Sequence, residues 1–267
     1  MLPRKVINSH SDNLLKNEGN ILNAITKLEK NKNLKFLLQK RYSFIKKYIN
    51  ENDKILELGA GPGLSKKFIN NKNLKISDKA NYNFLDYKNI DALNTNFEEK
   101  SFDVIFSTSL IHHLSNPIKL FNEVGRILKD NGRYIILDTN CSFFLKLIII
   151  LTKSECYDMD VNIYDKNINL TNPEDLFDSN NFVPKLIFNN FQRFNSKLDY
   201  NFNIKEKKFR EFFIFLNSGG VIIDAPYVPL NIFFLKLVDK LDFILSFFSS
   251  IFPLYLYVCL EKQNKKG

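Results

Sequence analysis

Residues 55–63 read ILELGAGPG, a short run of large apolar side chains that stops abruptly in three glycines at alternate positions. This is the pattern of a buried strand emptying into a tight loop. Gly59, Gly61 and Gly63 lack the Cβ that would disfavour a left-handed backbone and hold the main chain away from a ligand. The segments that follow keep the same alternation. LSKKFINN supplies one or two helical turns, LKISD a second strand ending in an acid, and SFDVIFS a third clear strand. Residues 116–132 predict a helix with Pro117 in its first turn, a stripe of Ile118, Phe121, Val124 and Leu128, and Asn131-Gly132 to stop it. RYIILDT is the strand after it. Strands alternating with helices in this order imply a parallel sheet covered on both faces, with ligands bound beyond the carboxyl ends of its strands.

The glycine spacing separates two ligand classes. A dinucleotide fingerprint needs G-x-G-x-x-G, but Leu64 occupies its third glycine position and the run is G-x-G-x-G. Glu57, two residues before Gly59, would repel a pyrophosphate and suits a ligand carrying an ammonium and a sulfonium. Asp78 ends the second strand about twenty residues after Gly59, the separation at which an acid accepts hydrogen bonds from both ribose hydroxyls. Asp91, with Leu93 nearby, is fit to hold an adenine edge and cover its face.

In ILELGAGPG, ISD, DALN, SFDVIFSTSLIHHLSNP and LFNEVGRILKDNGRYIILD, over roughly residues 34–140, the chain resembles the class I S-adenosylmethionine-dependent methyltransferases. It is most similar to their UbiE-like small-molecule branch. The resemblance implies a doubly wound, mostly parallel seven-stranded α/β sheet and S-adenosylmethionine as cofactor. It also implies a loop of Gly59, Ala60, Gly61 and Gly63 around the methionine part, with Glu57 ordering that loop and facing the ammonium. Asp78 then matches the ribose acid, Asp91 and the backbone of Ala92 match the adenine-edge pair, and Ser107 and Thr108 line the methionine side. Residues 79–90, KANYNFLDYKNI, are too short for the helix and strand usual there, so an irregular loop with one short strand is expected. A bacterial subgroup shares this shortening and a later SGG segment, here in FLNSGGVIIDAP, and some members belong to surface-polysaccharide pathways. LKDNG in place of L-K-P-G-G alters a turn only.

Methyl transfer from a sulfonium is an in-line displacement, so the protein must position the acceptor, exclude water and, for a hydroxyl, remove a proton. The candidate bases are His113, first in order, and His112, both in SLIHHL past a strand end, with Asp138 as their rival. His10, in NSHSDN, reads as a surface residue. The expected reaction is O-methylation of a saccharide, a lipid-linked saccharide or another small molecule; the alternative is a methyltransferase-fold binding protein without turnover.

The rest of the chain is organised around that core as one domain. Residues 1–50 carry apolar side chains at helical spacing from Leu14 to Tyr48, broken near NKN; residues 51–140 form the cofactor core; residues 141–253 cover the acceptor; and 254–263 make the last strand. Phe143 and Phe144 are expected on the inner wall of the covering lid. Residues 243–260 are nearly uncharged, but Pro253 and the alternation of Tyr255, Tyr257 and Cys259 favour a helix end followed by a core strand over a membrane span. The many Phe and Ile with lysines beside them suit a greasy acceptor or peripheral membrane contact. A formal net charge of +9 comes without a basic arm or an RNA-binding module, so nucleic acid is not the expected partner. Cys141, Cys156 and Cys259 form no C-x-x-C pair, and neither a disulfide framework nor a metal site is expected. MLPRKVINSHSDN lacks an apolar signal stretch, which points to the cytoplasm.

Overall fold

The computed structural model describes residues 2–7, 18–175, 178–222 and 224–263, so His10, Leu14 and Leu15 lie outside the described residues. Its centre is a six-stranded sheet. In chain order the strands of this sheet are β2 (Ile55–Leu58), β3 (Leu74–Ser77), β4 (Phe102–Thr108), β5 (Leu128–Thr139), β7 (Phe202–Arg210) and β8 (Tyr255–Lys262), and across the sheet they run β3-β2-β4-β5-β8-β7. Neighbours from β3 to β5 are parallel, while β8 lies antiparallel between β5 and β7. A separate two-stranded ribbon pairs β1 (Lys5–Val6) with β6 (Tyr157–Asp158).

Period-two alternation along the parallel strands sorts the core into two layers. Ile55, Val104, Phe106, Ile135 and Leu137 face one layer, under α1 (Glu18–Lys30) and α2 (Lys32–Lys46). Leu56, Leu58, Ile105, Tyr134 and Ile136 face the other, under α3 (Pro117–Ile127) and α5 (Val183–Asn189). The expected doubly wound α/β arrangement is therefore present.

Several local expectations need correction. Among the described residues the main sheet has six strands where seven were expected, and two more form the separate ribbon. Residues 79–90 form no further strand and touch β3 only through an isolated Ser77–Tyr87 bridge. The Asp86 carboxylate there takes the Ile76 N–H at 2.9 Å, occupying an edge donor that another strand would use. LSKKFINN makes only a 3₁₀ turn, Leu64–Lys67, entered through Gly63 at φ 66°. The helix from Pro117 ends at Ile127, not at Asn131-Gly132, because Leu128 turns extended and pairs with Phe102 inside the sheet. Strand β7 carries a charged sequence, FNIKEKKFR, with one buried residue, Phe202, and has no apolar signature that would have revealed it.

The N-terminal helices are tied to the far end of the chain. Asn31 caps α2 by accepting the Leu34 N–H at 3.0 Å, which explains the break at NKN, and its Nδ2 donates to the Ser218 carbonyl at 2.8 Å. Ten residues on, Arg41 is buried and donates to both oxygens of Glu211, at 2.8 and 2.7 Å. Its guanidinium lies 3.9 Å from the Tyr255 ring centroid, and the Tyr257 hydroxyl also donates to Glu211. Arg41→Ala should cost about 3–5 kcal/mol in urea denaturation, because it leaves a buried carboxylate without its cation. A loss under about 1 kcal/mol, the scale of an exposed pair, would show that the network does not hold the helix to the sheet.

Candidate functional site

A cavity of about 410 Å³ opens beyond the carboxyl ends of β2 to β5, where an α/β sheet of this winding binds its ligand. Its floor is the loop after β2. Gly59, Gly61 and Gly63 all have positive φ, at 69°, 49° and 66°. A Cβ on Gly61 would meet no atom within 4 Å, whereas one on Gly59 would fall 2.6 Å from a Leu110 methyl. Gly61 thus leaves open space beside its backbone, the cradle into which a ligand fits, and Gly59 permits the close packing of the next loop. Asp78 holds that cradle. Its carboxylate accepts the Gly61 N–H at 2.8 Å and the Ala80 N–H at 2.9 Å while still lining the cavity. Asp91, Ala92 and Leu93 line the same wall, with Asp91 accepting the Leu93 N–H at 2.9 Å.

Glu57, Gly63 and Ser107 do not reach the cavity. Glu57 lies buried beneath the loop, where Ser65 donates its hydroxyl to the carboxylate and Ser77 donates to the Glu57 carbonyl at 2.8 Å. It orders the loop from below rather than facing a ligand ammonium across the cavity. Gly63 is packed against Ile76 and Phe84. Ser107 points to the other face of β4 and hydrogen-bonds Tyr134 at 3.0 Å, because alternate strand residues face opposite ways. Thr108 and Ser109 line the cavity instead.

An imidazole pair on the 3₁₀ turn Ile111–His113 lines the same cavity. His112 Nδ1 lies 2.5 Å from Asp138 Oδ1, and this carboxylate also accepts the N–H groups of Leu110, Ile111 and Thr139 at 3.1, 2.7 and 2.8 Å. Asp138 is fully buried and committed to these donors, so it positions His112 and is not the rival base expected from its place at a strand end. Burial alone would lower the His112 pKa, but the charge and hydrogen bond of Asp138 outweigh it and hold it above 6.5. His113 Nδ1 lies 3.1 Å from the Asp178 carbonyl, which assigns its proton to Nδ1 and leaves Nε2 as acceptor. Burial, then the neighbouring His112, push the His113 pKa down to about 4.

Other lining residues escaped sequence reading. Glu155 brings a carboxylate oxygen within 4.8 Å of a nitrogen from each histidine, a donor set that a divalent ion could also use, and Asn181 Nδ2 donates to Glu155 at 2.6 Å. Leu38, Arg41 and Tyr42 arrive from α2, and Phe215, Val221 and Tyr255 from the last third of the chain. Arg41 did carry a signal, being a cation set within the apolar stripe of Leu37, Leu38, Phe44 and Ile45. Phe143 and Phe144, expected on the lid's inner wall, do not line the cavity. They open α4 (Phe143–Thr152), where Phe143 is half-exposed and Phe144 packs 5.0 Å from Phe212 and 5.3 Å from Phe252; Leu145 reaches the cavity in their place.

Burial, followed by the charge of Asp78, lifts the Glu57 pKa from 4.5 to about 8, against the opposing Ser65 hydrogen bond. The fold therefore retains a proton that the unfolded chain releases. Stability from this group is complete below about pH 4.5 and is lost as pH rises through about 8. Glu57→Gln keeps an oxygen for Ser65 but cannot ionise. Its thermal midpoint should lack the parent's decline across that window; parallel curves for the two proteins would mean Glu57 is ionised in the fold.

The glycine cradle, the two aspartates on one wall and the apolar Leu93 fit an S-adenosylmethionine nucleoside and amino acid. A family model described as a methyltransferase domain matches residues 56–136. A phosphoethanolamine N-methyltransferase of Plasmodium falciparum is 32% identical over an alignment of 107 residues that covers 34% of this chain and 40% of that protein. The chain thus spans well under half of that relative. Among solved structures, a SAM-dependent methyltransferase from Archaeoglobus fulgidus is 14% identical with a TM-score of 0.47, covering 85% of this chain and 93% of the other. One from Methanosarcina mazei is 13% identical with a TM-score of 0.46, covering 83% and 97%. The matched residues begin within the strand before the glycine loop and end within the strand that carries Asp138, so the match to a methyltransferase domain takes in all four parallel strands whose carboxyl ends border the cavity.

Proposed function

We propose that the chain is an active methyltransferase that methylates a hydroxyl of a small molecule, a saccharide or a lipid-linked saccharide, with His112 as general base. The observation that carries this reading is one cavity lined both by the Gly61–Asp78 cradle and by the Asp138-held His112. When bound, S-adenosylmethionine supplies an electrophilic methyl group. The chain's own residues do the rest. Asp138 accepts the Nδ1 proton of His112, which leaves Nε2 as the proton acceptor and stabilises the imidazolium that forms when the acceptor's hydroxyl proton moves there. His113 is the weaker base of the two, since its pKa near 4 gives little driving force to take a proton, and this reverses the order expected from sequence. Leu38, Leu145 and Val221 supply the apolar walls that keep water from the transfer.

A second reading is favoured by one observation. The Plasmodium relative is a phosphoethanolamine N-methyltransferase, and Glu155 beside the histidines would attract an acceptor ammonium. Product analysis after incubation with phosphoethanolamine, compared with sugar acceptors, separates N- from O-methylation. Cofactor binding without transfer to any acceptor in a cell extract would favour the non-catalytic alternative.

Asp78→Ala should weaken S-adenosylhomocysteine binding by about 1.5–3 kcal/mol, the usual contribution of a hydrogen bond to a charged group. Calorimetry giving parental affinity would assign the ribose contact to another residue. His112→Gln should lower the chemical rate by about two to four orders of magnitude. Because the base must be neutral, the parent's rate should rise with pH through a transition above 6.5 that the variant lacks. A parental rate in His112→Gln would overturn the assignment, and loss of activity on chelation would transfer the deprotonation to a bound cation.

A further inference from the structure

Outside the cavity, helix α8 (Ile232–Leu245) has its charges arranged the wrong way round for a surface in water. Its two acids face the protein. Asp242 is buried and accepts the N–H groups of Phe212, Phe213 and Ile214 at 2.9, 2.9 and 3.1 Å, capping α7 (Phe213–Leu216), while Asp239 pairs with Lys40 at 2.6 Å. Leu235 packs inward, but most of the helix's apolar residues face outward. Phe233 is 69% exposed, Leu237 55% and Ile244 56%, and the turn that follows adds Phe247 at 75%. Steps of four residues from Phe233 through Leu237 to Leu241 put these on one stripe, and exposed Lys236 and Lys240 fall beside it.

The stripe continues onto α4. Phe143 and Phe144 donate their N–H groups to the carbonyls of Ser250 and Ile251 at 2.9 and 3.1 Å, which sets half-exposed Phe143 against the end of the α8 turn. The same helix sends Leu145 into the cavity, so the apolar face and the cavity share a wall.

A contiguous apolar face of this extent marks an interaction surface, because water penalises each Å² of it. The charges identify what it meets. The outward cations on this stripe are lysines interleaved with phenylalanines and leucines, whereas the acids of the helix are turned in. That is the arrangement of a helix lying in a bilayer interface, with aromatic rings at the acyl boundary and lysine stems reaching up to lipid phosphates. A formal net charge of +9 adds attraction to an anionic surface. Among the described residues no helix is long and apolar enough to cross a membrane, so the contact is peripheral.

We infer that α8, its following turn and the start of α4 dock the protein on the surface of an anionic lipid bilayer, with the α4 wall of the cavity at the headgroup level. This surface is independent of the methyl-transfer reading, and vesicle binding is measured without cofactor. The full chain is sedimented with vesicles of phosphatidylcholine, with or without phosphatidylglycerol, at low and high salt. Binding should be stronger to the anionic vesicles and weaker at high salt. The variant Phe233→Ser, Leu237→Ser, Phe247→Ser should lose binding to both while keeping the parental circular dichroism and S-adenosylhomocysteine affinity. Lys236→Gln with Lys240→Gln should weaken only the anionic binding, by about tenfold or more. A parent that stays in the supernatant with both vesicle types overturns the inference. So does a parent dimer in light scattering that the triple substitution converts to monomer, since the face would then join two copies of this chain.

Discussion

The buried pair of Arg41 and Glu211 is the contact on which the rest of the structure depends. Two charges removed from water are stabilising only when nearly every donor and acceptor is answered, and here both carboxylate oxygens face the guanidinium, Tyr257 adds a hydroxyl, and Tyr255 covers the cation. The four residues come from α2, the end of β7 and β8. Joining them fixes the N-terminal helix to the antiparallel half of the sheet, and Arg41, Tyr42 and Tyr255 become a wall of the cavity. A hydrophobic contact in this place would hold the helix but would not dictate its register; the bidentate fork does both.

The carboxylates of this region divide into those that line the cavity and those that lie beneath it. Asp78 and Asp91 line the wall and brace their loops through backbone N–H groups. Glu57 and Asp138 lie beneath the surface and act through other residues, the first through Ser65, the second through His112. Their environments push them in opposite directions. Glu57 has one hydroxyl against full burial and keeps its proton, whereas Asp138 has an imidazole and three N–H groups and stays ionised. A neutral, locking acid under the glycine loop and a charged, orienting acid under the imidazole suit the proposed reaction, in which the cofactor is held rigidly and the imidazole takes a proton.

The second half of the chain contributes two faces of opposite function. Its inner residues close the cavity, and its outer residues form the apolar, lysine-edged surface of α8. Both follow from Asp242 and Asp239, whose bonds turn that helix so that its acids point inward and its phenylalanines outward. With α8 docked on a bilayer as inferred above, the α4 wall of the cavity would face the lipid headgroups.

Much of the first half was legible in the amino-acid order alone. Apolar runs ending in glycine or acid specify buried parallel strands locally, and the spacing of Gly59, Gly61, Asp78 and Asp91 carries ligand chemistry, because each sits at a strand end whose position in the sheet the βαβ winding dictates. The break at NKN and the last strand were legible for the same reason. Tertiary structure alone decided the rest. Which face of β4 Ser107 takes, whether Asp138 is a base or a support, and whether Phe144 meets the acceptor or Phe252 depend on neighbours far away in the chain. Strand β7, with a charged sequence, exists because β8 offers it an edge. Glu155 and Arg41 join the cavity through contacts across 26 and 170 residues of chain, to Asn181 and Glu211. Local sequence carries information about φ, ψ and burial period, and it carries none about which buried charge will meet which.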